Sequence, residues 1–421
     1  TEYTEDMLNR ALKEEEPLKS VPTKDEDGHG TYVASVAAGG ADYNNRFTGA
    51  APEAAIAMVK LKPAKAYLKE FFAIKEEAVC YQENDIMLGL KYLNGLARKK
   101  KMPLVLCVAL GTSFGGHNGE SMLANILDIY STVRNRCVVA GTGNEAAQRH
   151  HYFHRFTETE NSRNVEIRVG SGVRAFVTEL WSRLPDIVTV SVVSPSGERT
   201  GMIPLRLGYL FEFRFAFERT VITVEYRLLQ ENNDAQLVFL RFRDTVPGIW
   251  RIEVSPALQE QGEFHMWLPM EEFLEGEVYF LESNPDTTLT EPAGGRNLMS
   301  VAYYNSQENT VDINSGRGYT RDERIKPDYA APGVAVTGAV PGGGFRNRSG
   351  SSAGTAIAAG GCALLMRWIS DQPGARGASA SQVRNIIVMG TGTLPNEEYP
   401  TTEWGYGTMN LYRSLDILRQ L

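Results

Sequence analysis

Histidine is scarce in this 421-residue chain and missing from its C-terminal third: the six lie at 29, 117, 150, 151, 154 and 265. Any site that needs a histidine late in the chain is thereby excluded. Cysteine is rarer still. The four (80, 107, 137 and 362) are scattered with no C-x-x-C spacing, which argues against a disulfide framework and a cysteine-built metal centre. Cys107, Cys137 and Cys362 sit in apolar runs and read as buried thiols. Positive charge is outnumbered, with 43 Lys and Arg against 51 Asp and Glu and a net charge of −8, so no nucleic-acid partner is expected. The one basic run, Arg98 to Lys101, reads as the end of a helix. No uninterrupted apolar run reaches the roughly 18 residues of a membrane span, and none is expected. Signal peptide, internal repeat and low-complexity segment are all missing from these residues.

What is present is the composition of an ordinary globular protein, 43% hydrophobic and 22% charged, on a chain long enough for two domains. The first 150 residues alternate helical patterns with short apolar runs. Val33, Val36 and Ala37 follow helical spacing, Ile56 to Val59 reads as a strand after the Gly49–Pro52 turn, and residues 66–100 carry a long helical pattern. Leu104–Leu110 is a buried strand, Glu120–Arg134 an amphipathic helix, and Cys137–Gly141 a strand again. Short apolar strands alternating with helices predict a parallel sheet covered on both faces. From about 164 to 283 the period changes to two, as in Val165, Ile167 and Val169, or Phe211, Phe213, Phe215 and Phe217. That alternation predicts six to eight antiparallel strands in a β-sandwich. From about Asn297 the α/β pattern returns, with a strand at 298–302 and a helix from about Ser381, its expected N-cap, to Met389. The expected boundaries are therefore 1–160 and 295–421 for one interrupted α/β domain, and 161–294 for the inserted sandwich.

The sharpest signal is Asn347 to Trp368, N-R-S-G-S-S-A-G-T-A-I-A-A-G-G-C-A-L-L-M-R-W: small polar residues leading into an Ala/Leu-rich helix. A serine at such a junction sits among unpaired N–H groups at the positive end of a helix, which suits a nucleophile whose reaction builds an oxyanion. Gly350-Ser351-Ser352-Ala353-Gly354 also fits the G-x-S-x-G elbow of the α/β-hydrolases. Those enzymes place their histidine after the serine, and here none follows. The histidine that fits is upstream, in Asp27-Gly28-His29-Gly30-Thr31. Val139-Ala140-Gly141-Thr142-Gly143-Asn144 and Lys326 to Val334 lie between the two.

In the order His, Asn, Ser, these segments resemble the subtilisin-like serine proteases, and among them the Csp germination proteases of spore-forming clostridia, which carry an inserted jelly-roll domain. The resemblance implies a doubly wound α/β fold interrupted by an antiparallel, jelly-roll-like β-sandwich. It implies His29 as general base, Ser352 as nucleophile, Asn144 as oxyanion donor, and Ala109, Leu110 and Gly111 as the strand along which substrate lies. The implied activity is hydrolysis of peptide bonds in a protein substrate, in a limited-processing role and in a spore, cell-envelope or extracellular setting. A pseudoprotease that binds protein partners is the alternative. No cofactor or catalytic metal is expected. Structural calcium is compatible with the resemblance, although no site can be placed. His150-His151-x-x-His154 has no carboxylate or cysteine at ligand spacing and reads as a polar loop.

Two departures stand out. Gly354 and Ala356 replace the family's usual Ala and Pro after the serine. No strand ending in Asp precedes His29, and Asp25 and Asp27 stand too close to it to belong to one. The orienting carboxylate is therefore expected outside this chain: on a cleaved N-terminal segment or propeptide, which is then a candidate partner, on the rest of a longer chain of which this is a fragment, or lacking altogether.

Overall fold

Four parallel strands carry the unit that holds the candidate site: Leu104–Val108, Arg136–Gly141, Met299–Asn305 and Tyr329–Pro332, paired in that order. A short strand, Thr310–Val311, adds to Met299–Asn305 as an antiparallel hairpin. The computed structural model describes residues 1–229, 234–374, 376–395 and 397–420. The central strands are buried over their whole length, which is why they read as continuous apolar runs rather than alternating ones. Helices cover both faces. Glu83–Lys100 and Met122–Thr132 pack with Leu106, Val108 and Val138 on one side. On the other, Ser351–Ser370 and Ala380–Met389 pack with Cys137, Val139 and Val301.

The Ser351–Ser370 helix is long and apolar enough to cross a membrane by length and composition, but 61% of that span is buried inside the protein. It is the central core helix. Its glycines set how closely its neighbours come. A Cβ on Gly360 would lie 2.5 Å from the carbonyl oxygen of Ala37, so this residue lets the helix His29–Ala38 lie directly against it. That contact sets the spacing between the two helices whose first turns carry His29 and Ser352.

Between strands Arg136–Gly141 and Met299–Asn305 the chain leaves this sheet and builds two antiparallel ones. One has four strands, in the order Val278–Phe280, Arg163–Val169, Gly248–Leu258, Ile187–Val193. The other has six, in the order His151–Arg155, Glu263–Trp267, Ala175–Arg183, Ala235–Arg243, Val221–Leu229, Leu210–Arg214. A single core joins them, with Trp250, Phe176, Phe242, Phe264 and Phe280 fully buried.

Several sequence expectations need correcting. The antiparallel unit begins at His151, not at residue 161, because His151–Arg155 pairs with Glu263–Trp267 instead of forming a polar loop. Ten strands are described, not six to eight. Phe217 is 81% exposed, so the Phe stripe enters the core only as far as Phe215. Residues 66–100 form two helices, Ala66–Phe71 and Glu83–Lys100, separated by a loop. The cap of the late helix is Ser379, which shares a capping box with Gln382, not Ser381. Finally, Ile56–Val59 is extended but joins no sheet, and Ile56 and Met58 are more than half exposed. The four cysteines are free thiols.

The six-stranded sheet grips the loop that continues the Leu104–Val108 strand. Glu179, fully buried, accepts hydrogen bonds from the Gly115 N–H (2.8 Å) and from Trp181 Nε1–H (3.0 Å). Phe114 packs into the same cluster, and the His117 ring stacks on Trp267 with centroids 4.0 Å apart. Leucine at Glu179 strands two buried donors, so Glu179→Leu is expected to lower unfolding free energy by about 2 kcal/mol or more. Urea titration checks this, and an unchanged midpoint and slope would show the loop is held by other contacts.

Candidate active site

His29 and Ser352 come from junctions where a loop meets a helix, and Asn144 from the turn that ends a buried strand. Gly28, in the left-handed region at φ 85°, turns the chain so that His29 is the first residue of its helix. Asp25 fixes that turn. Its carboxylate accepts from the Gly28 N–H at one oxygen and from the N–H and hydroxyl of Thr31 at the other (2.6–2.9 Å). Asp27 accepts from the His29 N–H at 3.0 Å. Both aspartates therefore act on backbone at a helix start, where negative charge is favourable. Neither touches the imidazole ring.

The structure brings His29 to Ser352: Nε2 lies 2.8 Å from Oγ across 323 residues of sequence. Nε2 accepts that hydroxyl proton only in the tautomer whose own proton sits on Nδ1. Among the described residues the ring makes no other hydrogen bond, so Nδ1–H has no acceptor there. Burial pushes the imidazole below its usual range. Asp27 opposes that shift, Arg348 adds to it, and Asp25 opposes it. The ring is thus a neutral base at neutral pH, the form that can take a proton.

Asn144 reaches the site from the turn after strand Arg136–Gly141. Its Oδ1 accepts from the Ser351 N–H at 2.9 Å and so caps the serine helix, and this leaves the Nδ2 amide available as a donor. Gly350 is required beside it: its φ is 144°, and a Cβ there would lie 3.3 Å from Asn144 Oδ1. Ser351 has a different place from Ser352. It is buried, and its Oγ accepts from the Gly143 N–H at 3.0 Å, tying the two loops together. Ser352 is half-exposed, with Oγ 3.5 Å from the Ala109 carbonyl, which places Ala109, Leu110 and Gly111 alongside it. His29, Asn144, Ser352 and the 109–111 segment, which continues strand Leu104–Val108, therefore converge on one place.

The other histidines do not. His150 pairs with Glu145 (2.9 Å), His154 with Glu160 (3.0 Å), and His151 with His265 (2.9 Å), so the H-H-x-x-H triplet turns to three different partners. Sequence reasoning missed a second buried carboxyl, Glu291. It accepts from the Gly119 N–H and the Ser121 hydroxyl, and burial pushes its pKa up to about 7. Its backbone pairs with Thr112, just beyond the 109–111 segment.

A base hydrogen-bonded to a hydroxyl at a helix N-terminus, with an amide poised beside it, is machinery for acyl transfer. The sequence profile of the subtilase family (peptidase S8) matches residues 3–191 and 276–407. The chain belongs to the subtilase family. It is a subtilisin-like serine peptidase. The solved structure of the CspB protease of Clostridium perfringens is 30% identical, with a TM-score of 0.89, covering all of this chain and 87% of that one. The patellamide maturation protease PatA (23% identical, TM-score 0.27) and the prenylagaramide maturation protease PagA (24%, 0.26) also match. The shared region is 31% of this chain and 47% of PatA, and 30% of this chain and 45% of PagA, too little to carry an argument. Comparison with curated proteins gives no match. The subtilase match skips 192–275, most of the antiparallel unit.

Proposed function

We propose that this peptidase is an endopeptidase of limited-processing type, acting by an acyl-enzyme mechanism. His29 takes the Ser352 proton as Oγ attacks the peptide carbonyl. Asn144 Nδ2 and the Ser352 N–H stabilise the oxyanion, and His29 then returns the proton to the leaving amine. The observation that carries this reading is the 2.8 Å contact between His29 and Ser352. Substrate lies as an added strand along Ala109–Gly111. The inserted unit, which we take as jelly-roll-like, restricts access by holding the loop at 112–120. By similarity to the clostridial protein, a spore or cell-envelope setting is the one we favour.

The orienting carboxylate is proposed to arrive on an extended segment that residues 1–421 do not supply. Two features support this. Among the described residues strand Leu104–Val108 has a neighbour on one side only, and residues 56–61 join no sheet there, with Val59 against Gly89 of the helix that covers the strand. A strand filling that edge gains main-chain hydrogen bonds to Leu104–Val108 and is proposed to end near the His29 loop, beside which Met58 runs: a Cβ on Gly30 would lie 3.4 Å from Met58 Cε.

Intact mass spectrometry of natively purified protein, before and after a fluorophosphonate, tests both parts. A single adduct, absent in Ser352→Ala, is expected, together with a co-purifying peptide. An adduct that persists in Ser352→Ala would refute the assignment of the nucleophile.

A further inference from the structure

The residue whose carbonyl is attacked has its carbonyl at Ser352 and its chain along Ala109–Gly111. Laid so, its side chain faces the gap between that segment and the turn leading to Asn144. The walls of this gap are two glycines, Gly111 and Gly143, and neither contributes a side chain. The gap is nonetheless occupied. A Cβ built on Gly111 would lie 2.4 Å from Thr290 Oγ1, and one built on Gly143 would lie 2.4 Å from Thr290 Cγ2. Thr290 thus presents its hydroxyl to one wall and its methyl to the other.

Thr290 cannot swing away. Its N–H donates to the Thr142 carbonyl at 3.0 Å, and the next residue, Glu291, exchanges both backbone hydrogen bonds with Thr112 (2.8 and 3.0 Å). The segment is laced to both walls at once. Thr290 is 1% exposed, and among the described residues its hydroxyl has no hydrogen-bond partner. A fully buried hydroxyl without a partner is costly and calls for a ligand group or a stated reason.

We propose that Thr290 is the residue that sets specificity on the acyl side of the cleaved bond. By filling the gap between Gly111 and Gly143 it admits glycine, alanine or serine there and excludes long and aromatic side chains. This rests on the proposed roles of Ser352, Asn144 and the 109–111 segment.

The test uses natively purified protein and two peptidyl diphenylphosphonates that differ only in the acyl-side residue, alanine or phenylalanine. A small, non-peptidic fluorophosphonate serves as reference. Each probe forms a bond from Ser352 Oγ to phosphorus and expels phenol or fluoride, so labelling is read by mass. Wild type is expected to react at least about tenfold faster with the alanine probe, and Thr290→Gly to raise the phenylalanine-to-alanine ratio about 100-fold, since a methylene in an apolar pocket is worth about 10- to 200-fold. Thr290→Val keeps the gap filled and is expected to keep the wild-type ratio. Equal labelling by both probes in wild type overturns the proposal, whether or not Thr290→Gly folds. So does an unchanged ratio in a Thr290→Gly protein that still reacts with the fluorophosphonate. Failure of the fluorophosphonate to label wild-type Ser352 instead overturns the peptidase mechanism on which the gap depends.

Discussion

Alanine at position 352 is expected to lower peptide hydrolysis by about 10⁶-fold while the protein stays folded, as for subtilisin-type triads. The substitution removes the attacking oxygen and little else. The helix start is held by Asn144 on the Ser351 N–H and by Ser351 on Gly143, and neither bond involves the Ser352 side chain. His29→Ala is expected to cost a similar factor, since without a base the hydroxyl is a poor nucleophile, and the double variant should be little worse than either single one. Asn144→Ala is different in kind. It removes one oxyanion donor, worth about 10²–10³ in kcat, and also a helix cap worth about 1 kcal/mol. Its stability should fall, whereas that of Ser352→Ala should not. Turnover of a fluorogenic peptide and urea midpoints, measured together on the three variants, separate these effects. A Ser352→Ala protein retaining a hundredth of the wild-type rate would put the nucleophile elsewhere.

The segments that bring His29, Asn144 and Ser352 together were legible in the sequence because two are loop-to-helix junctions and the third is the turn ending a buried strand, and such places need local runs of glycine and small polar residues. The parallel sheet was legible for a related reason: strands buried on both faces cannot alternate, so Cys137–Gly141 stands out as an unbroken apolar run and Met299–Ala302 as one interrupted only by Ser300. What stayed hidden depends on distant partners. Glu179 holds a loop 64 residues away, Glu291 one 172 residues away, and Thr290 fills a gap whose walls are 179 and 147 positions earlier; no local periodicity carries such pairings. His151–Arg155 read as polar loop because its polar faces are satisfied by aromatic stacking and by His265 rather than by water. Ile56–Val59 has a strand's composition, but an edge in a sheet is made by a neighbour, and no described residue supplies one.

Acidification is expected to weaken this fold through three imidazoles that take no part in the His29–Ser352 contact. His117, His151 and His265 surround Trp267, with ring centroids 4.0–5.1 Å from it, at the seam between the cleft loop and the six-stranded sheet. Burial pushes His117 down to about 4 and His151 to about 3, and takes His265 well below its usual range; Arg321, and the histidines among themselves, add to the shift. In the unfolded chain each titrates near 6.5. Between those values the unfolded state binds more protons, so stability falls as pH drops below about 6.5, by about 2 kcal/mol per histidine at pH 5 for independent rings. The carboxyls against the same loop work in the opposite sense. Glu291, raised to about 7, and Glu179, also raised by burial, favour the folded state when protonated, and that contribution is lost as pH rises through their folded values. Wild type therefore shows a partly cancelled acid loss. Glu291→Gln removes one opposing contribution and should lose more stability than wild type between pH 7.5 and 5, by about 2–3 kcal/mol. His265→Phe, which keeps a ring beside Trp267 and cannot be protonated, should lose less. Urea unfolding followed by tryptophan fluorescence at the two pH values measures all three. Identical pH dependences would mean that the imidazoles take up protons without opening the seam, and that the sandwich stays on the cleft loop in acid.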